Sequence, residues 1–149
     1  MYELFLTCPK GLEEVCKKDL ESIDLSNITT KNGAIYFSGN IIDIYKINLS
    51  SRIGMNLLIR IKSFNFKDNN DYYNNIYDYD WENIIDPRMT LSIDSTIQKE
   101  SKLFDNSQYV SLKAKDAIID KIRKTKNQRP NISKDDPDIN LKIFINRDS

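Results

Sequence analysis

Among its 149 residues the chain has no histidine, which removes the commonest general base and the commonest metal ligand together. Catalysis by a Ser-His-Asp arrangement is excluded on the same ground. The four glycines, Gly11, Gly33, Gly39 and Gly54, stand too far apart to make a phosphate-cradling or dinucleotide-binding loop, so a nucleotide-cofactor fold is excluded as well. Two cysteines, Cys8 and Cys16, cannot supply a four-ligand zinc site and match no metal spacing. They read as free, reduced thiols buried as small hydrophobes, which suits a cytoplasmic protein. No apolar run reaches membrane-spanning length, and the opening MYELFLTCPK has no basic start ahead of its short apolar segment. Neither a signal peptide nor an anchor is expected. Neighbouring carboxylates such as Asp135 and Asp136 read as a polar turn rather than as acid/base machinery.

What the chain does have is charge unevenly distributed. Lysine plus arginine equals aspartate plus glutamate at 22 each, so the bulk balance points to no anionic partner. From Asp68 to Asp94, however, seven residues are acidic and only Arg88 is basic. From Lys99 to Lys134 ten are basic and four acidic, and local asymmetry of this kind is what an anionic partner would meet.

A chain of this length makes one ordinary domain or two small ones, and two small units packed together are expected. Tyr2 to Thr7 reads as a strand, and Pro9 with Gly11 turns the chain into a helix carrying Leu12, Val15, Cys16, Leu20 and Ile23 on one stripe. Ile28 to Ser38 reads as a hairpin-like pair or a bent strand around Asn32-Gly33. A second helical stripe, Ile41, Ile44, Tyr45, Leu49 and Ile53, is closed by Gly54, and Asn56 to Phe66 returns as a strand. The segment KDNNDYYNNIYDYD, Lys67 to Asp80, has the composition of a disordered loop. The spacing of Tyr73 with Tyr77 and of Tyr72 with Ile76 instead favours two short helices closing at Pro87. Thr90 to Thr96 alternates as a half-buried strand, Asp135 to Asp138 is a turn, and Ile139 to Ile145 is a final strand with Leu141, Ile143 and Ile145 on one face.

The segment from Ser107 to Pro130, SQYVSLKAKDAIIDKIRKTKNQRP, combines a helix with a run of basic side chains. At 100° per residue Val110, Ala114, Ala117, Ile118 and Ile122 span an arc of about 140°, a core-facing stripe. Lys113 and Lys124 fall on one flank, Lys115 and Lys126 on the other, and Lys121 lies inside the apolar arc, where it must snorkel. The Lys/Arg cluster from Lys113 to Arg129, with Lys99 and Lys102 before it, could neutralise phosphates, and Tyr109 could stack on an unpaired base. The same residues also fit a helix that covers a sheet and keeps itself soluble.

The motifs then resemble a known family. Ser107-Gln108-Tyr109 with Lys113, Lys115 to Asp120, Arg129-Pro130 and Asp138-Ile139 is similar to the THUMP domain of bacterial 23S rRNA guanine-N2 methyltransferases. Cys8 to Glu14, Gly33 to Gly39 and Ser51-Arg52-Ile53 resemble the small ferredoxin-like domain that precedes it, and Trp81 to Pro87 has its counterpart as well. The order is collinear over nearly the whole chain. The resemblance implies an α+β protein with a ferredoxin-like domain over residues 1–66 and a THUMP domain over 67–149, the latter incomplete at its C-terminus. The methyltransferase domain of that family, with its glycine-rich S-adenosylmethionine loop and Asn-Pro-Pro motif, has no match here. It therefore implies an RNA-binding, substrate-positioning module with no cofactor of its own, S-adenosylmethionine serving the parent enzyme. RNA, 23S rRNA in particular, is the implied partner, and Lys99, Lys102, Ser107, Tyr109, Lys113, Lys115, Lys124 and Arg129 are the implied contacts. No membrane and no metal are expected. An exposed edge at Ile139 to Ile145 would permit self-association. The competing reading is an interaction or structural α+β domain without RNA affinity.

Overall fold

The computed structural model of the chain describes residues 1–31, 33–97 and 103–146. The chain divides into two units, Met1–Ser63 and Phe64–Ser149, and each buries its own apolar cluster. No helix among the described residues is long and apolar enough to cross a membrane.

The first unit runs β1 (Tyr2–Thr7), α1 (Glu13–Glu21), β2 (Thr29–Lys31), β3 (Ala34–Gly39), α2 (Ile41–Ser50) and β4 (Asn56–Ile59). Its strands pair antiparallel in the order β2-β3-β1-β4, a ferredoxin-like arrangement. Strand alternation sends Leu4 and Leu6 of β1 and Ile35 and Phe37 of β3 to one face, where Cys16 and Leu20 of α1 and Ile47 of α2 cover them. Burial pushes the Cys16 thiol up to about 11, and both cysteines are free and buried. The Glu13 carboxylate accepts from the amides of Gly33 at 2.7 Å and Gly11 at 2.8 Å. These bonds hold its carboxyl below the usual range and tie the start of α1 to the hairpin. Gly33 takes φ 72° there, as a tight hairpin turn requires, while Asn32 lies outside the described residues.

Four sequence expectations are corrected in this unit. The α1 stripe is narrower than its spacing suggests, since Leu12 and Val15 are 42% and 49% exposed. On α2 the buried side is that of Ile47 and half-buried Ile44, whereas Tyr45 and Leu49 face solvent. With apolar residues on nearly every side of α2, periodicity could not choose the face. Gly54 is not the end of that helix, which closes at Ser51 in an extended conformation. A side chain on Gly54 would meet Leu6, with a Cβ only 2.6 Å from Leu6 Cδ2. The expected strand Asn56 to Phe66 also stops at Ile59, because its partner β1 runs out. The Arg60 amide makes a last bond to the Glu3 carbonyl at 2.9 Å, and Phe64 and Phe66 then pack into the second unit.

The second unit contains α3 (Asn69–Tyr77), a 3₁₀ turn at Trp81–Asn83, β5 (Thr90–Ile97), α4 (Ser107–Lys126), β6 (Asn131–Ile132) and β7 (Ile139–Ile145). The asparagine-rich segment is helical, as its spacing predicts, with Asp68 capping α3 by accepting from the amides of Asn70 and Asp71. Strand β5 runs parallel to both β6 and β7 and lies between them. The short β6 was not foreseen, and on the central strand β5 the polar Ser92 is buried as well as Leu91. Asp138 locks β7 to β5, its carboxylate accepting from both the amide and the hydroxyl of Thr90 at 2.8 Å. Leu91, Ile145, Trp81 and Ile85 join Val110, Ala114, Ala117, Ile118 and Ile122 of α4 in one core.

Candidate nucleic-acid interface

Helix α4 is fixed at both ends by side-chain and backbone chemistry. Asn106 caps the start by accepting from the amides of Gln108 and Tyr109, and Asn127 ends the helix in the left-handed region at φ 52°. The expected apolar stripe is buried as the spacing predicts, and Ile119 joins it from outside the arc. Ala114 and Ala117 are small enough to let α3 and β5 approach closely. The last turn carries Arg123, Lys124 and Lys126, cations placed where the helix dipole is negative.

The flank expected to be a rim of solvated amines is instead a seam with α3. Tyr73 and Tyr77 stack with centroids 6.0 Å apart, and three ammonium groups of α4 lie over them. Lys113 is 5.3 Å from the Tyr73 centroid, and Lys121 and Lys124 are 5.6 Å and 5.8 Å from that of Tyr77. Such contacts are worth roughly 0.5–1 kcal/mol each at exposed sites. The Tyr73 hydroxyl donates to Asp120 at 2.7 Å, and desolvation together with that bond pushes the phenol up to about 12. Lys121 snorkels as its place in the arc requires, half-buried with its charge on Tyr77.

Six of the eight sequence-derived candidates lie within the described residues. Lys113 and Lys115 are half-buried, the first on Tyr73 and the second 3.7 Å from Asp116. Lys124 and Arg129 are exposed at the end of α4. Tyr109 is 41% exposed and its ring lies 6.0 Å from that of Phe104. Ser107 begins the helix but does not cap it; its carbonyl accepts from the Ser95 hydroxyl, which also meets Ser111 at 2.8 Å. Lys99 and Lys102 lie outside the described residues. Arg123 belongs to the basic cluster but was not among the individually chosen contacts, although its position opposite the apolar arc marks it as fully outward, and the structure exposes it beside Lys124. Lys126 has another task, since its ammonium donates to the carbonyls of Glu82 at 2.6 Å and Ile85 at 3.4 Å. The outward basic group is thus Arg123, Lys124 and Arg129. Among the described residues no group of Cys, Asp or Glu is placed to hold a metal.

A family model described as the RlmL ferredoxin-like domain matches residues 3–55, and one described as the THUMP domain matches residues 66–149. The chain belongs to the THUMP family. It is 33% identical over 146 residues to a ribosomal RNA large subunit methyltransferase K/L of Pseudomonas syringae pv. tomato, an alignment that takes in 98% of this chain. It is 32% identical over the same length to the protein of that name from Pseudomonas entomophila. The chain spans about a fifth of these curated relatives, 19% and 20% of their lengths. Among solved structures, SMU.472 complexed with SAH superimposes with a TM-score of 0.84 at 25% identity, covering 99% of this chain and 39% of that one. A 4-thiouridine synthetase in a complex with RNA and bound ATP gives 0.58 at 11% identity over 99% of this chain and 39% of that one, a likeness of fold alone. The ferredoxin-like and THUMP domains implied by the motifs are thus both present, in that order.

Proposed function

We propose that this chain is the RNA-binding, substrate-positioning part of an S-adenosylmethionine-dependent 23S rRNA guanine-N2 methyltransferase of the cytoplasm. The observation that carries the reading is the exposed group Arg123, Lys124 and Arg129 at the end of α4, on a THUMP domain whose curated relatives are named as ribosomal RNA methyltransferases. Tyr77 lies under Lys124, so this cation is partly ordered before any phosphate arrives. Contacts to phosphates and 2′-hydroxyls would fix the position of the RNA, with selectivity coming from its shape and from the catalytic domain.

The residues here do not fit the methyl donor. Gly33 serves a hairpin turn, Gly39 and Gly54 serve close approaches to Leu4 and Leu6, and Gly11 stands alone at a turn, so none shares a cradle with another. On this reading, binding and chemistry belong to different parts of the parent enzyme.

Changing Arg123, Lys124 and Arg129 together to Glu tests the face. Binding of the variant to ribosomal RNA fragments at low salt should fall steeply, and unchanged binding would end the assignment. A competing reading, an interaction domain without RNA affinity, draws on Ile42, Tyr45 and Leu49, which α2 leaves 60%, 63% and 86% exposed. It requires self-association in sedimentation with no RNA affinity at any salt concentration.

A further inference from the structure

The helices of the first unit cover only one face of its sheet. On the other face the registers Phe5↔Tyr36, Phe5↔Leu58 and Thr29↔Tyr36 place Phe5, Tyr36, Leu58 and Thr29 side by side. Two residues along each strand, the same alternation adds Glu3, Ser38, Lys31 and Arg60. Tyr36 lies among them, stacked on Phe5 at 5.6 Å between centroids and 16° between planes. Two cations converge on its ring. Lys31 Nζ lies 5.2 Å from the centroid and the Arg60 guanidinium 5.9 Å, while Glu3 holds Arg60 at 3.2 Å. A cleft of about 240 Å³ opens here, lined by Tyr36, by Arg60 with its partner Glu3, and by the polar residues Asn27, Thr29 and Ser38.

We propose that this face is a second RNA-contacting site, one that stacks an unpaired base on Tyr36 and sets Lys31 and Arg60 against its phosphates. The inference rests on the RNA-binding reading and extends it to the ferredoxin-like unit. Tyr36 is thus a half-exposed ring on an open sheet face with two cations beside it. A nucleotide uses both features, since the ring supplies a stacking surface for any base and the cations meet the anionic backbone. The cleft is smaller than the roughly 300–1,000 Å³ of sites that enclose whole cofactors, and it is open at the surface. Asn27, Thr29 and Ser38 offer donors and acceptors to the edge of a base. A paired base presents only its edges to a protein, so the occupant must be unpaired.

The test compares two fluorescent RNA hairpins, one blunt and one carrying a single-stranded uridine tail, bound to the full chain. The tailed hairpin should bind more tightly, and Tyr36→Leu should remove about tenfold of its affinity while leaving the blunt hairpin unchanged. Tyr36→Phe should keep the preference, which separates stacking from any loss of fold. Iodouridine in the tail should photo-crosslink to the peptide that contains Tyr36 in the unaltered chain. The triple variant Arg123→Glu, Lys124→Glu, Arg129→Glu should weaken both hairpins. If Tyr36→Leu weakens both equally or neither, and crosslinks fall elsewhere, the base site is wrong although the RNA-binding reading survives. If the unaltered chain binds neither hairpin, both fall.

Discussion

Across the seam between α3 and α4 the Tyr73 hydroxyl donates to the Asp120 carboxylate at 2.7 Å. The same tyrosine ring lies under the Lys113 ammonium, so one side chain satisfies a negative and a positive residue of the basic helix at once. Removing the hydroxyl by Tyr73→Phe should cost about 0.5–1 kcal/mol, the range for a hydrogen bond near solvent, read as a lower urea midpoint with an unchanged slope. The pH dependence has a definite sign. The folded phenol titrates at about 12 against an ordinary value of 10.0. Its stabilising effect is complete below about 10 and is lost as pH rises toward 12. In the unaltered chain stability should therefore fall more steeply across that window than in Tyr73→Phe.

Gly54 is required by a neighbour rather than by a helix end. Placing a methyl group where Leu6 Cδ2 would lie 2.6 Å away forces a buried side chain of β1 to move. Gly54→Ala should destabilise by about 1–3 kcal/mol in chemical denaturation. In a Leu6→Ala background most of that extra cost should vanish, since the two changes act on the same space.

Asp138 should control the acid side of the stability curve. The amide and hydroxyl of Thr90 hold its carboxyl below the usual 3.8. The contribution is therefore present above about 3.8 and is lost as pH falls below it. Asp138→Ala should lower the melting temperature at neutral pH and flatten the decline in acid. Asp138→Asn, which keeps an acceptor oxygen, should lose less at neutral pH.

Two neighbouring cations of α4 should separate stability from binding. Lys126 holds the carbonyls of Glu82 and Ile85, so Lys126→Met should cost about 1 kcal/mol. Arg123 is exposed, and Arg123→Gln should change stability by no more than about 0.5 kcal/mol while weakening RNA binding. Paired urea titrations and RNA titrations check both halves.

The sequence made most of this fold legible where one periodicity dominated. The stripe Val110, Ala114, Ala117, Ile118 and Ile122 placed α4 correctly because its five apolar residues fall on one arc in which Lys121 is the only charged residue. The α2 face was misread because Ile41, Ile42, Ile44, Tyr45, Ile47 and Leu49 surround the helix, and only the sheet decides which side is buried. Strand β6 is two residues long and carries no pattern of its own. Gly54 looked like a helix stop because its close approach to Leu6 is a contact across 48 residues of chain, which local spacing does not encode. At the candidate site, charge pattern singled out Lys124 and Arg129, which are exposed. It could not foresee that Tyr73 and Tyr77 would take Lys113 into a seam, or that Lys126 would be spent on a turn.

The central claim, that the end of α4 meets RNA phosphates, is tested most directly by the salt dependence of binding to a ribosomal RNA hairpin. For the unaltered chain log affinity should fall linearly with log salt. For Arg123→Glu, Lys124→Glu, Arg129→Glu the slope should be shallower by about one per residue changed. A variant that binds as tightly as the unaltered chain at low salt, with the same slope, would contradict the account.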